Sequence, residues 1–358
     1  MRCDAMKLFK CPSCGQVLYF ENTSCVSCGR RVGYLAESDL MTSLDEGPEG
    51  VWTAPAPLGG SFRLCENAEH DACNWLIPAE SGERFCKACR HNRTVPDTSD
   101  PQNLERWRKI ESAKHRLIYT LLRLGLPLPG PGEADEPLVF AFLADTPDQE
   151  GPKVMTGHEN GLITIALAEA DDAERETRRA AMGEPYRTLV GHFRHEVGHF
   201  YWDRLIRDAG KLAECRAVFG DDSEDYEAAL KRHYETGPPA DWSERYVSAY
   251  ATTHPWEDFA ETWAHYLHII DTLEMATACR LKVAPVEGPP DLAVEAAIDV
   301  YTEPDMSRIV GTWLPVAFTM NSINRCMGQG DLYPFVLAPP VIEKLAFMHD
   351  LVRGARVN

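Results

Sequence analysis

At 358 residues and 44% apolar, the chain is long enough for one large domain or two unequal ones with a substantial core. Its formal charge of −19 argues against a nucleic-acid partner, because neutralising phosphates needs a basic surface. No stretch reaches the roughly 20 apolar residues that cross a bilayer, and residues 1–7 lead into cysteines rather than into the apolar run of a signal peptide. No membrane contact is expected. The cytoplasm is the expected compartment, and there grouped cysteines read as metal ligands before disulfides.

Nine of the 12 cysteines lie before residue 90, which marks residues 1–92 as a separate N-terminal module. Cys11-Pro12-Ser13-Cys14-Gly15 and Cys25-Val26-Ser27-Cys28-Gly29 are two knuckles, each setting two thiolates on one turn with a glycine to permit the tight backbone. Four thiolates close a structural zinc site. Cys65, Cys73, Cys86 and Cys89 form a wider second set, read as another structural zinc in which His70 or His91 could replace one cysteine. Cys3 has no evident partner, and Cys215, Cys279 and Cys326 read as small apolar residues. So small a ribbon has little core of its own, so metal would supply much of its folding energy. Its slight basic excess is too weak for nucleic acid and suits a protein partner or a cover over a cleft.

Pro96 to Pro101 marks the start of a second domain, residues 93–358. Leu104, Trp107, Ile110, Leu117, Ile118 and Leu121 recur at helical spacing and predict a helix over 103–124. Residues 138–143 and 161–167 are the two clearest strands, so the expected class is α+β with a small mixed sheet. Helices are predicted at 172–182 and at 186–208, the second opened by Pro185. Another follows at 256–273. The C-terminal part reads as mostly helical, broken at 285–290 and 328–330, with a last helix over 341–353.

His195-Glu196-Val197-Gly198-His199 carries the chemistry. Two histidines four apart on a helix project from one face, and zinc needs such a convergent pair. Glu196 flanks them and can act on a zinc-activated water. A catalytic zinc needs one more protein ligand and an open position. Pro255 can begin a helix that puts Glu257 and Glu261 one turn apart, so one carboxylate could bind the metal while the other orients a ligand histidine. Asp203 competes as third ligand, and His192, His254 and His265 are weaker candidates.

With Tyr250, Thr253, Glu257, Phe259, Ala260 and Glu261, the His-Glu-Val-Gly-His segment resembles the gluzincin metallopeptidases, the lethal-factor peptidases in spacing. The resemblance implies Glu257 as third ligand, Glu261 as its support, and Tyr250 as the donor to the oxyanion. Cys11-Pro12-x-Cys14, the run from Tyr186 to Glu196 and the run from His254 to Glu261 also resemble a bacterial family of zinc-binding metallopeptidases with an N-terminal zinc ribbon. These likenesses imply a mainly helical zincin-like domain behind a β-rich ribbon. They imply one catalytic and two structural zincs, and hydrolysis of a peptide or protein substrate with Glu196 as general base. The alternatives are an amidase acting on a small modified peptide and a non-catalytic ribbon adaptor with a peptidase-like binding domain.

Overall fold

A computed structural model of the chain describes residues 8–145, 154–182 and 188–357. Cys3 and Pro185, with the expected helix start at 186, lie outside the described residues. The architecture is α+β, with a β-rich cysteine module leading into a mainly helical chain. Two compact units interleave along the sequence: Met1–Tyr119, Pro129–Thr156 and Thr164–Asp171 form the first, and Thr120–Leu128, Gly157–Ile163 and Asp172–Asn358 the second.

In the first unit, β1 (Leu8–Lys10) and β2 (Val17–Tyr19) pair antiparallel on either side of the first knuckle. The knuckle closes when the Gly15 N–H donates to the Cys11 carbonyl at 2.8 Å, and Gly29 repeats the bond to Cys25 at 2.8 Å. Gly15 and Gly29 take φ values of 76° and 72°, a left-handed conformation that a side chain would strain. There follow β3 (Arg31–Leu35), β4 (Leu40–Glu46), β5 (Trp52–Thr53), β6 (Ser61–Leu64) and β7 (Leu76–Pro78), an antiparallel sheet in chain order. Leu35, Leu44, Ala54, Phe62 and Leu76 make its apolar centre. A second cluster is aromatic: Phe20 meets Tyr34 edge-on at 5.0 Å and Tyr119 at 5.2 Å, and Tyr34 meets Trp75 at 4.8 Å. Tyr119 lies on α1 (Pro101–Arg123), so this helix gives the short ribbon strands an apolar body to pack on. Beyond the ribbon, β8 (Asn92–Thr94) pairs parallel with β9 (Val139–Leu143).

The second unit holds β10 (Gly157–Glu159) and the start of β11 (Leu162–Ala166), joined by a turn at Asn160 and Gly161. Its helices are α2 (Asp172–Met182), α3 (Leu189–Trp202), α4 (Leu212–Phe219), α5 (Tyr226–Thr236), α6 (Pro255–Ala278), α7 (Met306–Cys326) and α8 (Pro339–Gly354). The short strands β12 (Lys282–Val283) and β13 (Val294–Glu295) pair between α6 and α7 in the sequence. The helix predicted to run to 208 changes its coil before it ends. Thr188 caps α3 by accepting the Gly191 N–H at 3.0 Å, meeting one of the donors a helix start leaves open. After Trp202 the coil widens into a π turn, Asp203–Arg207, where the Asp208 N–H reaches back to the Asp203 carbonyl at 2.9 Å.

α3 and α6 cross at Gly198. A Cβ there would lie 3.0 Å from Ala260 Cα and 3.2 Å from Trp263 Cβ, so the glycine lets the two backbones approach. Fully buried Trp263 then stacks on Tyr201 at 4.8 Å. Among the described residues no helix is long and apolar enough to cross a membrane.

Candidate metal centre

The close crossing of α3 and α6 sets the site. His195 and His199 occupy successive turns of α3. α6 starts sharply because Pro255 takes its first position and His254 Nδ1 accepts the Trp256 N–H at 3.1 Å. His254 is thus a helix cap, and Glu257 falls in the first turn, facing α3. The Nε2 atoms of His195 and His199 are 3.2 Å apart, and Glu257 Oε2 lies 3.0 Å from the first and 3.5 Å from the second. Bonds of about 2.0 Å to a tetrahedral cation would separate such donors by about 3.3 Å. Glu257 Oε2 is buried and has no hydrogen-bond partner among the described residues, which fits a cation between the three atoms.

The electrostatics agree with the distances. Burial pushes the Glu257 carboxyl up, but the His199 and His195 imidazoles outweigh it and hold the group well below the usual carboxylate range. Burial likewise works against a charged His195, and Glu257 with Glu261 reverses that. Both shifts have one origin, a demand for positive charge among these side chains.

The surrounding side chains fix the donors. His195 Nδ1 lies 2.7 Å from Glu261 Oε1, whose partner oxygen accepts the Ser248 hydroxyl at 2.5 Å, so Nε2 is left to face Glu257. His199 is held by stacking instead, with the Trp256 ring 3.7 Å away and His158 of β10 at 6.2 Å. Tyr226, the first residue of α5, donates its hydroxyl to Glu257 Oε1 at 2.7 Å. Tyr250 opens a short 3-10 turn with its ring 5.9 Å from that of His195, and burial first, then Glu257, pushes its phenol well above the ordinary value. Half-buried Glu196 makes no hydrogen bond or ion pair among the described residues.

The other candidates lie outside this convergence. Asp203 accepts from Arg207 at 2.8 Å, His265 Nδ1 lies 2.7 Å from the Tyr333 hydroxyl, and His192 of α3 is not among the converging side chains. Two grooves of this unit, one beside Phe219 and His254 and one beside His233 and Pro238, contain none of the converging residues. Tyr226, Ser248, Trp256 and His158 are contacts that sequence reasoning misses. Tyr226 lies 31 residues from Glu257, and no spacing rule links them.

Both cysteine sets converge. Cys11 and Cys28 sulfurs are 3.8 Å apart and those of Cys14 and Cys25 3.6 Å; in the second set Cys73 and Cys86 are 3.7 Å apart, and Cys65 and Cys89 join them. Zinc–sulfur bonds of about 2.3 Å give a tetrahedral edge of about 3.8 Å. The described cysteines are free thiols. Neither His70 nor His91 enters the second set: His91 Nδ1 donates to the Leu138 carbonyl at 2.7 Å and the His70 ring packs on Trp107 at 5.6 Å. The imidazole beside this set is His115 of α1.

Residues 103–351 match the family model described as "Putative zinc-binding metallo-peptidase", and residues 8–100 match a zinc-ribbon domain. Uncharacterized proteins of Mycobacterium tuberculosis and Mycobacterium bovis are each 41% identical over 351 residues, covering 97% of this chain and 95% of theirs. No solved structure matches. The chain belongs to this zinc-binding metallopeptidase family and carries a zinc-ribbon domain in its N-terminal part.

Proposed function

We propose that the protein is a cytoplasmic zinc-dependent peptidase of the His-Glu-x-x-His gluzincin type, in which His195, His199 and Glu257 hold the catalytic zinc and the two cysteine sets hold structural ones. The reading is carried by one observation: two Nε2 atoms and a Glu257 oxygen without a hydrogen-bond partner among the described residues meet at 3.0–3.5 Å, one residue from Glu196. When bound, zinc would act as a Lewis acid toward water and the scissile carbonyl. Among the described residues Glu196 has no ion pair holding its charge elsewhere, and it accepts the proton of the attacking water and returns it to the departing amine. The Tyr250 phenol keeps its proton because burial and Glu257 oppose ionisation, so it stays a donor to the carbonyl oxygen as charge gathers there. Glu261 orients His195, and Tyr226 holds the Glu257 carboxylate.

The test pairs metal counting by mass spectrometry with cleavage of a peptide library. Glu196→Gln is expected to keep all its zinc and lose cleavage, and His195→Ala to lose one zinc while the cysteine sets keep theirs. Cleavage at the parental rate by Glu196→Gln would reject the general-base role. A fully loaded parent that cuts no peptide would favour a binding-only domain.

A further inference from the structure

We propose that helix α1 completes the second cysteine site: His115 donates its Nε2–H to the sulfurs of Cys73 and Cys89, and Lys114 balances charge beside them. The inference rests on the second cysteine set holding zinc and is independent of any peptidase activity.

A divalent cation among four thiolates leaves a dianion. All four sulfurs here belong to buried residues, so that charge must be met by donors within the protein. Backbone amides meet three of them: Trp75 N–H donates to Cys73 at 3.3 Å, Cys86 N–H to Cys65 at 3.5 Å, and Cys89 N–H to Cys86 at 3.4 Å. Cys89 receives no backbone N–H among the described residues. What faces its sulfur is His115 Nε2 at 3.5 Å, and the same atom lies 3.4 Å from Cys73.

The rest of that helix face has the same logic. Glu111, Lys114 and His115 stand three and four apart on α1 and are all buried, Glu111 and Lys114 at 0% exposure. Three ionisable side chains on an inward face are foreign to an apolar core and need polar or charged partners there. The Glu111 carboxylate lies 3.6 Å from the Cys89 sulfur, where it would repel a thiolate. Lys114 Nζ, 2.8 Å from Glu111 Oε2, cancels that charge, and the Asn92 amide holds the other oxygen at 2.7 Å. His115 is assigned as donor and not as ligand because the four sulfurs already lie within 4.8 Å of one another without it, and four thiolates fill a structural zinc's coordination. Metal at this site therefore fastens α1 to the ribbon within the first unit.

The experiment uses the full-length protein loaded with zinc, and separately with cobalt, and follows metal release to an excess of chromogenic chelator. His115→Ala is expected to keep its metal count but release one zinc about tenfold faster, the usual scale for losing an outer partner of a metal ligand. His115→Gln retains an N–H donor and is expected to release near the parental rate. The cobalt–thiolate absorption of His115→Ala should match that of the parent. Lys114→Gln, with His115 intact, should also speed release, and it keeps the test open if His115→Ala does not fold. Parental release rates in His115→Ala, or in Lys114→Gln if only that variant folds, would overturn the proposal. A cobalt spectrum showing a lost nitrogen ligand would overturn it too, making His115 a direct ligand. Replacing Cys65, Cys73 and Cys86 together by serine separates the underlying assumption: a zinc count unchanged in that variant means the set holds no zinc at all.

Discussion

The Tyr226 hydroxyl donates to one oxygen of Glu257 at 2.7 Å while the other oxygen faces His195 Nε2 at 3.0 Å. The phenol thereby decides which carboxylate oxygen is left for a cation. Without it the carboxylate can rotate, and its convergence with the imidazoles becomes one arrangement among several. Tyr226→Phe removes only the hydroxyl and is expected to weaken zinc binding at this site about tenfold, within the range for outer partners of metal ligands. Competition with a chelator of known affinity measures it. Affinity equal to the parent would mean that packing alone orients Glu257.

Gly198 sits between the two histidine-bearing turns, and the atoms a new Cβ would meet include backbone, Ala260 Cα at 3.0 Å and Ala260 O at 3.3 Å. Backbone atoms of a packed helix cannot step aside as a side-chain tip can. Alanine in place of glycine gains about 1 kcal/mol of helix propensity, and overpacking a tight contact costs about 1–3 kcal/mol. The second effect should win. Gly198→Ala is expected to lower stability in chemical denaturation and also to weaken zinc binding, because pushing α3 off α6 parts His195 and His199 from Glu257. A more stable variant with parental zinc affinity would show that the helices have room.

Periodicity makes half of this site legible in the sequence. Residues four apart on a helix share a face, so His195 with His199 and Glu257 with Glu261 stand out as pairs, and Pro255 announces where the second helix starts. The cysteine knuckles are legible for a similar reason, since each is a local turn closed by its own glycine. What brings the pairs together is less visible: Gly198 reads as filler in the motif until its distance to Ala260 is known. Tyr226, His158 and His115 reach their partners through tertiary contacts, and no local spacing encodes those. The same holds for α1. Proline and cysteine content suggests a boundary near residue 92, yet Tyr119 packs with Phe20 of the ribbon. The π turn after Trp202 was equally hidden, because its apolar spacing is that of an ordinary helix.

Chelation should separate the two kinds of metal site by what they hold up. The first knuckle pair closes two three-residue strands that bury one side chain each, Phe9 and Leu18, whereas α3 and α6 carry buried Phe193, Val197, Phe259 and Trp263. Removing metal from the full chain is therefore expected to expose residues 8–30 to protease first, while fragments containing α3 and α6 persist. Mass spectrometry of early fragments reads the order. First cuts within α3 or α6 would show that the histidine site, too, is needed for folding.

Asp258 follows Glu257 on α6, is fully buried, and meets Lys344 of α8 at 2.6 Å. Lys344 also donates to the Arg245 carbonyl at 2.9 Å and lies 4.3 Å from the Tyr246 ring centre. Removing one member of a buried ion pair typically costs about 3–5 kcal/mol because the other charge is stranded, so Lys344→Met should destabilise the second unit by that order. Burial pushes Asp258 up to about 7 from an ordinary 3.8 even with Lys344 opposing it. A carboxyl whose folded pKa is raised holds its proton more tightly folded than unfolded. Its contribution therefore falls as pH climbs from 3.8 toward 7 and is lowest above that. Loss of the ammonium raises that pKa further and widens the window upward. The gap in denaturation midpoint between parent and Lys344→Met should accordingly be small at pH 5, where Asp258 can take up a proton, and larger at pH 8. A gap of equal size at both pH values would mean that the lysine acts through its packing on Tyr246 rather than through the charge of Asp258.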